Sequence, residues 1–228
     1  MWRGSRPGPP RGAVRFGSLR RTTPLNRSIG GLRGRPIDRY YIDAFLRPHS
    51  SDIRGSVLEI AEPLYTRRFG SGVTDSEVLH ISDSQPPVTL VADLTSHEQL
   101  PRDRFDCIIC TQTLLFIFEV GAAIEGLHRM LKPGGVLFVT TGGISQVSRY
   151  DMDRWGHYWA FTSLSIERLF ARHFVPGTFE VQSFGNVLSA TAMLYGLAAQ
   201  ELSESELNYR DSDYEVLIGV RAVKAGQR

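Results

Sequence analysis

The feature that most limits what this chain can fold into is a series of short apolar runs set apart by long connections. Ser56-Val57-Leu58-Glu59-Ile60 follows Gly55, and Val88-Thr89-Leu90-Val91-Ala92 follows the Pro86-Pro87 break. Arg104 to Cys110 and Val136-Leu137-Phe138-Val139-Thr140 repeat the pattern, and Ser76 to Ile81 is a weaker run. Runs of four to six apolar residues are too short for helices. Strands buried on both faces read in this way, and long links between them imply crossovers. The chain is therefore expected to be α/β, with a largely parallel sheet covered on both sides.

Between the runs lie helical patterns. Ile37, Tyr40, Tyr41, Ala44 and Phe45 recur at helical spacing, Asp38 suits the first turn, and Arg47-Pro48 ends the segment. Ala122 to Leu131 carries apolar residues at 123, 124, 127, 130 and 131. Leu164 to Phe174 and Val187 to Leu202 are two further expected helices. Phe179 to Phe184 and Tyr214 to Val223 are two further expected strands, the last at the sheet edge after a long connection. Tyr150 to Phe161 is an aromatic stretch.

The 228 residues suffice for one full-sized core and not for two. No apolar run reaches the roughly 18 residues of a membrane span. The opening residues lack the apolar core of a signal peptide, so the expected compartment is the cytoplasm. Residues 1–35 hold nine arginines and no acid, so a whole-chain charge of +2 leaves −7 for the remaining 193. Domain organisation is read as a basic, disordered leader over 1–35 and one domain over 36–228. The arginines have no interleaved aromatics, which argues against nucleic acid as the partner.

Cys107 and Cys110 form a C-x-x-C, a spacing that elsewhere means redox or metal chemistry. Here it falls on a strand, where residues three apart point to opposite faces. Two separate buried thiols are expected. The six histidines are dispersed, with no metal-ligand spacing.

The order of motifs resembles the class I S-adenosylmethionine (SAM) methyltransferases. It runs from strand 1 ending in Glu59, through Ala92-Asp93-Leu94 and Phe105-Asp106-Cys107-Ile108-Ile109, to Leu127-His128-Arg129-Met130-Leu131-Lys132-Pro133-Gly134-Gly135. The last is the most specific, a helix stopped by proline and turned back to the sheet by glycines at positive φ. The stretches Tyr65 to Gly70 and Arg149 to Thr162 look like a bacterial methyltransferase-like subgroup found beside glycosyltransferases. The resemblance implies a Rossmann-like seven-stranded sheet of order 3-2-1-4-5-7-6, strand 7 antiparallel, with helices on both faces. It also implies SAM as cofactor, bound where the strand order reverses between strands 1 and 4.

On that resemblance the cofactor-binding residues are Glu59, Ala61, Asp83, Asp93, Leu94, Thr111 and Gln112. Glu59 matches the acid before the glycine loop, but Ala61, Pro63 and Tyr65 stand where the glycines belong. Ala61 is a small change if φ there is negative; Pro63 removes an N–H. Asp83 is the acid nearest the end of strand 2, for the ribose hydroxyls. Asp93 suits the adenine amine, because a carboxylate only accepts and that amine only donates. Each has a plainer alternative. Glu59 reads equally as tied to neighbouring backbone N–H groups, Asp93 as a turn or cap residue, and Thr111 to Thr113 as a polar turn. Tyr41 is either a cover or core.

The candidate bases follow strand 5: Asp151, Asp153 and His157, with Tyr158 near, and of these His157 and Asp153 are taken as the catalytic residues. His157 has the side chain suited to proton transfer near neutrality, or it is simply packed among Trp155, Tyr158 and Trp159. Those tryptophans stack on a sugar or aromatic acceptor, or serve as a lid. Arg67, Arg68 and Arg149 either grip an anion or face solvent. The expected activity is methyl transfer to oxygen or nitrogen of a small acceptor, a sugar or secondary metabolite, with a glycosyltransferase or another biosynthetic enzyme as partner. The alternative is an inactive methyltransferase-like domain that binds a partner enzyme.

Overall fold

The computed structural model describes residues 8–83 and 87–226. Arg3, Arg6 and Pro86, which figure in the sequence reading, lie outside them. The expected sheet is present. β1 (Gly55–Ile60), β2 (Val73–His80), β3 (Leu90–Val91), β4 (Phe105–Thr111), β5 (Leu131–Gly142), β6 (Phe179–Phe184) and β7 (Leu217–Val223) form one sheet of order β3-β2-β1-β4-β5-β7-β6. The pairs among β1 to β5 are parallel, and β7 runs antiparallel to both β5 and β6. The last strand is thus not at the edge, as its long connection suggested; β7 inserts between β5 and β6, and β6 takes the edge.

Helices α1 (Ile37–Leu46), α2 (Leu64–Phe69), α3 (Val120–Met130), α4 (Arg149–Trp155), α5 (Ser163–Phe170), α6 (Val187–Leu194) and α7 (Glu204–Asn208) complete the architecture. Adjacent strand residues feed opposite cores. Leu58, Ile108, Cys110, Leu137 and Val139 pack with Ile124 and Leu127 of α3 and Phe170 of α5. Val57, Cys107, Ile109 and Phe138 pack with Ile42 and Phe45 of α1 and Met193 of α6. Each such buried side chain stabilises the fold by about 1.5–3 kcal/mol before ordering costs. The same alternation separates Cys107 from Cys110, both free and fully buried. Burial pushes the Cys110 thiol up to about 12, and Cys107 is raised as well.

Several boundaries differ from expectation for local reasons. Lys132 to Gly135 is a loop-out within β5, where Leu131 and Val136 pair with Phe105 and Cys107. Gly134 takes the positive φ of +80°, while Gly135 is needed because a Cβ would come 3.0 Å from Phe105 O. The helix expected over 187–202 stops at Leu194; Gly196 turns at φ +72° and sits against the Asn26 backbone. β3 is reduced to two residues, because the Thr89 hydroxyl rather than a ladder partner receives the Val78 N–H at 2.9 Å.

Packing begins before Pro36. Leu25 N–H donates to Tyr195 O at 2.8 Å, Gln146 Nε2 to Arg27 O at 2.8 Å, and Arg33 pairs with Glu201. Residues 25–35 thus lie as a strap over α6 and the loop after β5. Among the described residues no helix is long and apolar enough to cross a membrane, and no group of side chains could hold a metal ion.

Candidate functional site

Parallel strands end together, so the loops after β1, β2, β3, β4 and β5 converge at one end of the sheet. They enclose a cavity of about 630 Å³. That lies within the roughly 300–1,000 Å³ of small-molecule sites. Glu59, Ala61, Asp93, Leu94, Thr111, Gln112 and His157 all contribute to its wall.

Asp83 and Asp153 are not brought to it. β2 ends at His80, which lines the cavity in the place expected of an acid, and Asp83 lies three residues further on and exposed. His80 Nδ1 receives the Ser82 N–H at 3.1 Å, and the ring meets Trp155 edge-on at 5.5 Å. Asp153 and Asp151 are two apart on α4, so they point to opposite sides of the helix. Asp151 takes the cavity side, while Asp153 is exposed and pairs with Arg149 at 3.9 Å. His80 and Asp151 are thus the residues that occupy the positions expected of Asp83 and Asp153.

Glu59 is committed to its own loop. Its carboxylate accepts Tyr65 N–H at 2.9 Å, Thr66 N–H at 2.8 Å and the Thr66 hydroxyl at 2.7 Å. It thereby satisfies the first amides of α2, which has no cap of its own from Pro63. Burial nevertheless raises its carboxyl above the usual range, against the lowering by those donors. The loop turns at Ala61, whose φ is +72°. The condition under which alanine would be a mild replacement, a negative φ, is not met. Ala61 occupies the left-handed region that costs a side chain about 1–2 kcal/mol.

Asp93 is held by its own turn, with Oδ1 accepting from Thr95 N–H and hydroxyl at 2.8 Å each. Among the described residues its Oδ2 has no hydrogen bond, which leaves that oxygen for a ligand. Gly126 of α3 positions this turn; a Cβ there would collide with the Leu94 carbonyl. Gln112, with φ +50°, is anchored through N–H to Thr140 O at 2.8 Å. Its buried Nε2 has no partner, and neither has His157 Nδ1. Among the described residues, two buried polar atoms of cavity-lining side chains are therefore left without a partner. Thr113 instead bonds Thr111 O, as a polar turn does.

His157 meets Phe116 edge-on at 5.5 Å, and burial holds its pKa below the ordinary imidazole range, against a smaller raising by Asp151. Near neutrality the ring is uncharged and able to accept a proton. Tyr158 and Trp159 also line the cavity; Trp159 stacks on Phe118 at 5.8 Å and donates Nε1–H to Ile117 O at 3.0 Å. Tyr41 is core, its hydroxyl donating to Leu207 O at 3.0 Å. Arg68, with Arg35, pairs with buried Asp43. The wall carries five carboxylates (Asp38, Glu59, Glu62, Asp93, Asp151) and one guanidinium, Arg39. A cationic ligand is favoured over an anionic one.

Residues 70–139 match the family model described as a methyltransferase domain. No curated protein matches the sequence. Among solved structures, a SAM-dependent methyltransferase from Archaeoglobus fulgidus aligns with a TM-score of 0.53 and 13% identity, covering 82% of this chain and 94% of that one. A SAM-dependent methyltransferase from Mesorhizobium loti gives 0.52 and 17%, covering 82% and 98%. The [4+2]-cyclase SpnF gives 0.51 and 20%, covering 83% and 84%. At these identities the likeness is one of fold, and the fold is the Rossmann-like methyltransferase fold.

Proposed function

We propose that this chain is a SAM-dependent methyltransferase acting on a small acceptor, a sugar or secondary metabolite, within the cytoplasm and beside another biosynthetic enzyme such as a glycosyltransferase. The observation that carries the reading is the cavity at the carboxyl ends of β1, β2 and β4, with a free Asp93 oxygen and the orphaned Gln112 Nε2 on its wall. The match of residues 70–139 to the methyltransferase-domain model supports it.

Asp93 Oδ2 would accept the adenine amine. His80 and Gln112 would meet the ribose and the polar tail, and Arg39, beside Asp38, Glu62 and Tyr65, would offer the positive charge a carboxylate needs. The excess of wall carboxylates suits a sulfonium and an ammonium. SAM supplies an electrophilic methyl group; the protein aligns the acceptor and removes its proton. His157 is the base, as a neutral ring lining the cavity.

Thermal unfolding with the demethylated product, S-adenosylhomocysteine, tests this reading. Ligand at 100 times its dissociation constant stabilises the folded state by about 2.7 kcal/mol. A rise in Tm that is lost in Asp93→Ala is expected. No rise at millimolar ligand would overturn the reading. The second reading, an inactive domain that binds a partner enzyme, is favoured by the loop after β1, where Ala61 and Pro63 replace glycines and Glu59 is already engaged. The cyclase among the similar structures is a reminder that this fold also serves other chemistry.

A further inference from the structure

We propose that the acceptor is a small amine, taken up by Asp151 between aromatic rings on the α4 side of the cavity; this rests on the methyltransferase reading. Asp151 lines the cavity, yet none of the ion pairs among the described residues includes it. The neighbouring cations are occupied elsewhere. Arg149 pairs with Asp153 and donates to Met152 Sδ at 3.0 Å; Arg154 lies over the Tyr150 ring at 3.5 Å and donates to Tyr150 O. The Asp151 backbone N–H donates to Ser148 Oγ at 3.3 Å, which fixes the start of α4.

Trp155, Tyr158 and Trp159 line the same cavity, and Trp155 stands one turn after Asp151 on the same face of α4. Aromatic faces attract a cation but gain nothing from an anion, and the attraction strengthens as water is excluded. A carboxylate and aromatic rings that line one cavity together recognise an ammonium group. A phosphate or carboxylate acceptor would meet an uncompensated negative wall, since a singly positive donor offsets only one of its surplus charges.

Proton accounting agrees with this choice. An ammonium must lose a proton before its nitrogen can attack, and the uncharged ring of His157 lines the same cavity as a proton acceptor, close enough to Asp151 to feel its charge. The freed lone pair forms the nitrogen–carbon bond as the carbon–sulfur bond breaks, and sulfur keeps the electron pair. The products are the thioether, the methylated ammonium and a protonated His157, so charge balances.

The test compares benzylamine, benzyl alcohol and benzoate by calorimetric titration, with and without S-adenosylhomocysteine. Benzylamine should bind at least ten times more tightly than benzyl alcohol, and benzoate weakest. Asp151→Asn should bring benzylamine down to the level of the alcohol, while Asp151→Glu keeps part of the preference. S-adenosylhomocysteine should bind all three proteins alike. An amine that binds no better than the alcohol, or a preference that survives in a folded Asp151→Asn, overturns the proposal. Failure of S-adenosylhomocysteine to bind anywhere overturns the methyltransferase reading instead, and the amine preference is judged from the titrations without it.

Discussion

At the scale of single residues, the loop after β1 shows how a site can keep its shape while losing its usual residues. Ala61 turns the chain at φ +72°, and Glu59 holds the start of α2 through three hydrogen bonds. The glycine pattern was absent from the sequence, but the turn it makes was not. Replacing Ala61 by glycine removes about 1–2 kcal/mol of left-handed strain. It adds about 0.4–1 kcal/mol of unfolded-chain entropy. Ala61→Gly is therefore expected to stabilise the protein by about 0.5–1 kcal/mol in urea unfolding. A loss of stability of that size would mean the backbone at 61 is not left-handed. Glu59 shows the opposite lesson: its residue type suited both a cofactor role and a tie to backbone N–H groups, and the structure shows its oxygens on two backbone amides and the Thr66 hydroxyl.

At the scale of elements, the strands were legible because burial on both faces leaves an unbroken apolar signature, and β6 and α1 follow their sequence patterns closely. α2 was not legible. It has six residues and starts on a proline, and a carboxylate from the preceding strand satisfies its first amides. α4 hid within an aromatic stretch, although Ser148 with Asp151 three residues later is a helix-start signal. Without the helix, nothing in the sequence distinguished Asp151, which faces the cavity, from Asp153, which does not. Gly126 gives the test at this scale. In a helix interior alanine is ordinarily better than glycine by about 0.8–1 kcal/mol. Here a Cβ meets the Leu94 carbonyl, so Gly126→Ala should instead destabilise by about 1–3 kcal/mol. It should also weaken donor binding by shifting Asp93. Equilibrium unfolding checks the sign, and a stabilised variant would contradict the close approach of α3 to that turn.

At the scale of the whole molecule, the two cores fix the sheet, and the strand ends fix where a ligand can enter. The lone C-x-x-C is explained by the same arrangement, with one thiol in each core and neither available to the other. The strap over residues 25–35 adds Ile29 to the cavity wall, a tertiary contribution that composition alone concealed, because its arginines and glycines read as a segment unable to order itself. It is ordered by partners more than a hundred residues away, Gln146, Tyr195 and Glu201. What the cavity holds decides the account. Calorimetric titration of the wild-type chain with SAM measures it most directly. One site per chain with a dissociation constant in the micromolar range is the predicted result; the absence of any binding heat at millimolar SAM, with the protein folded, would contradict it.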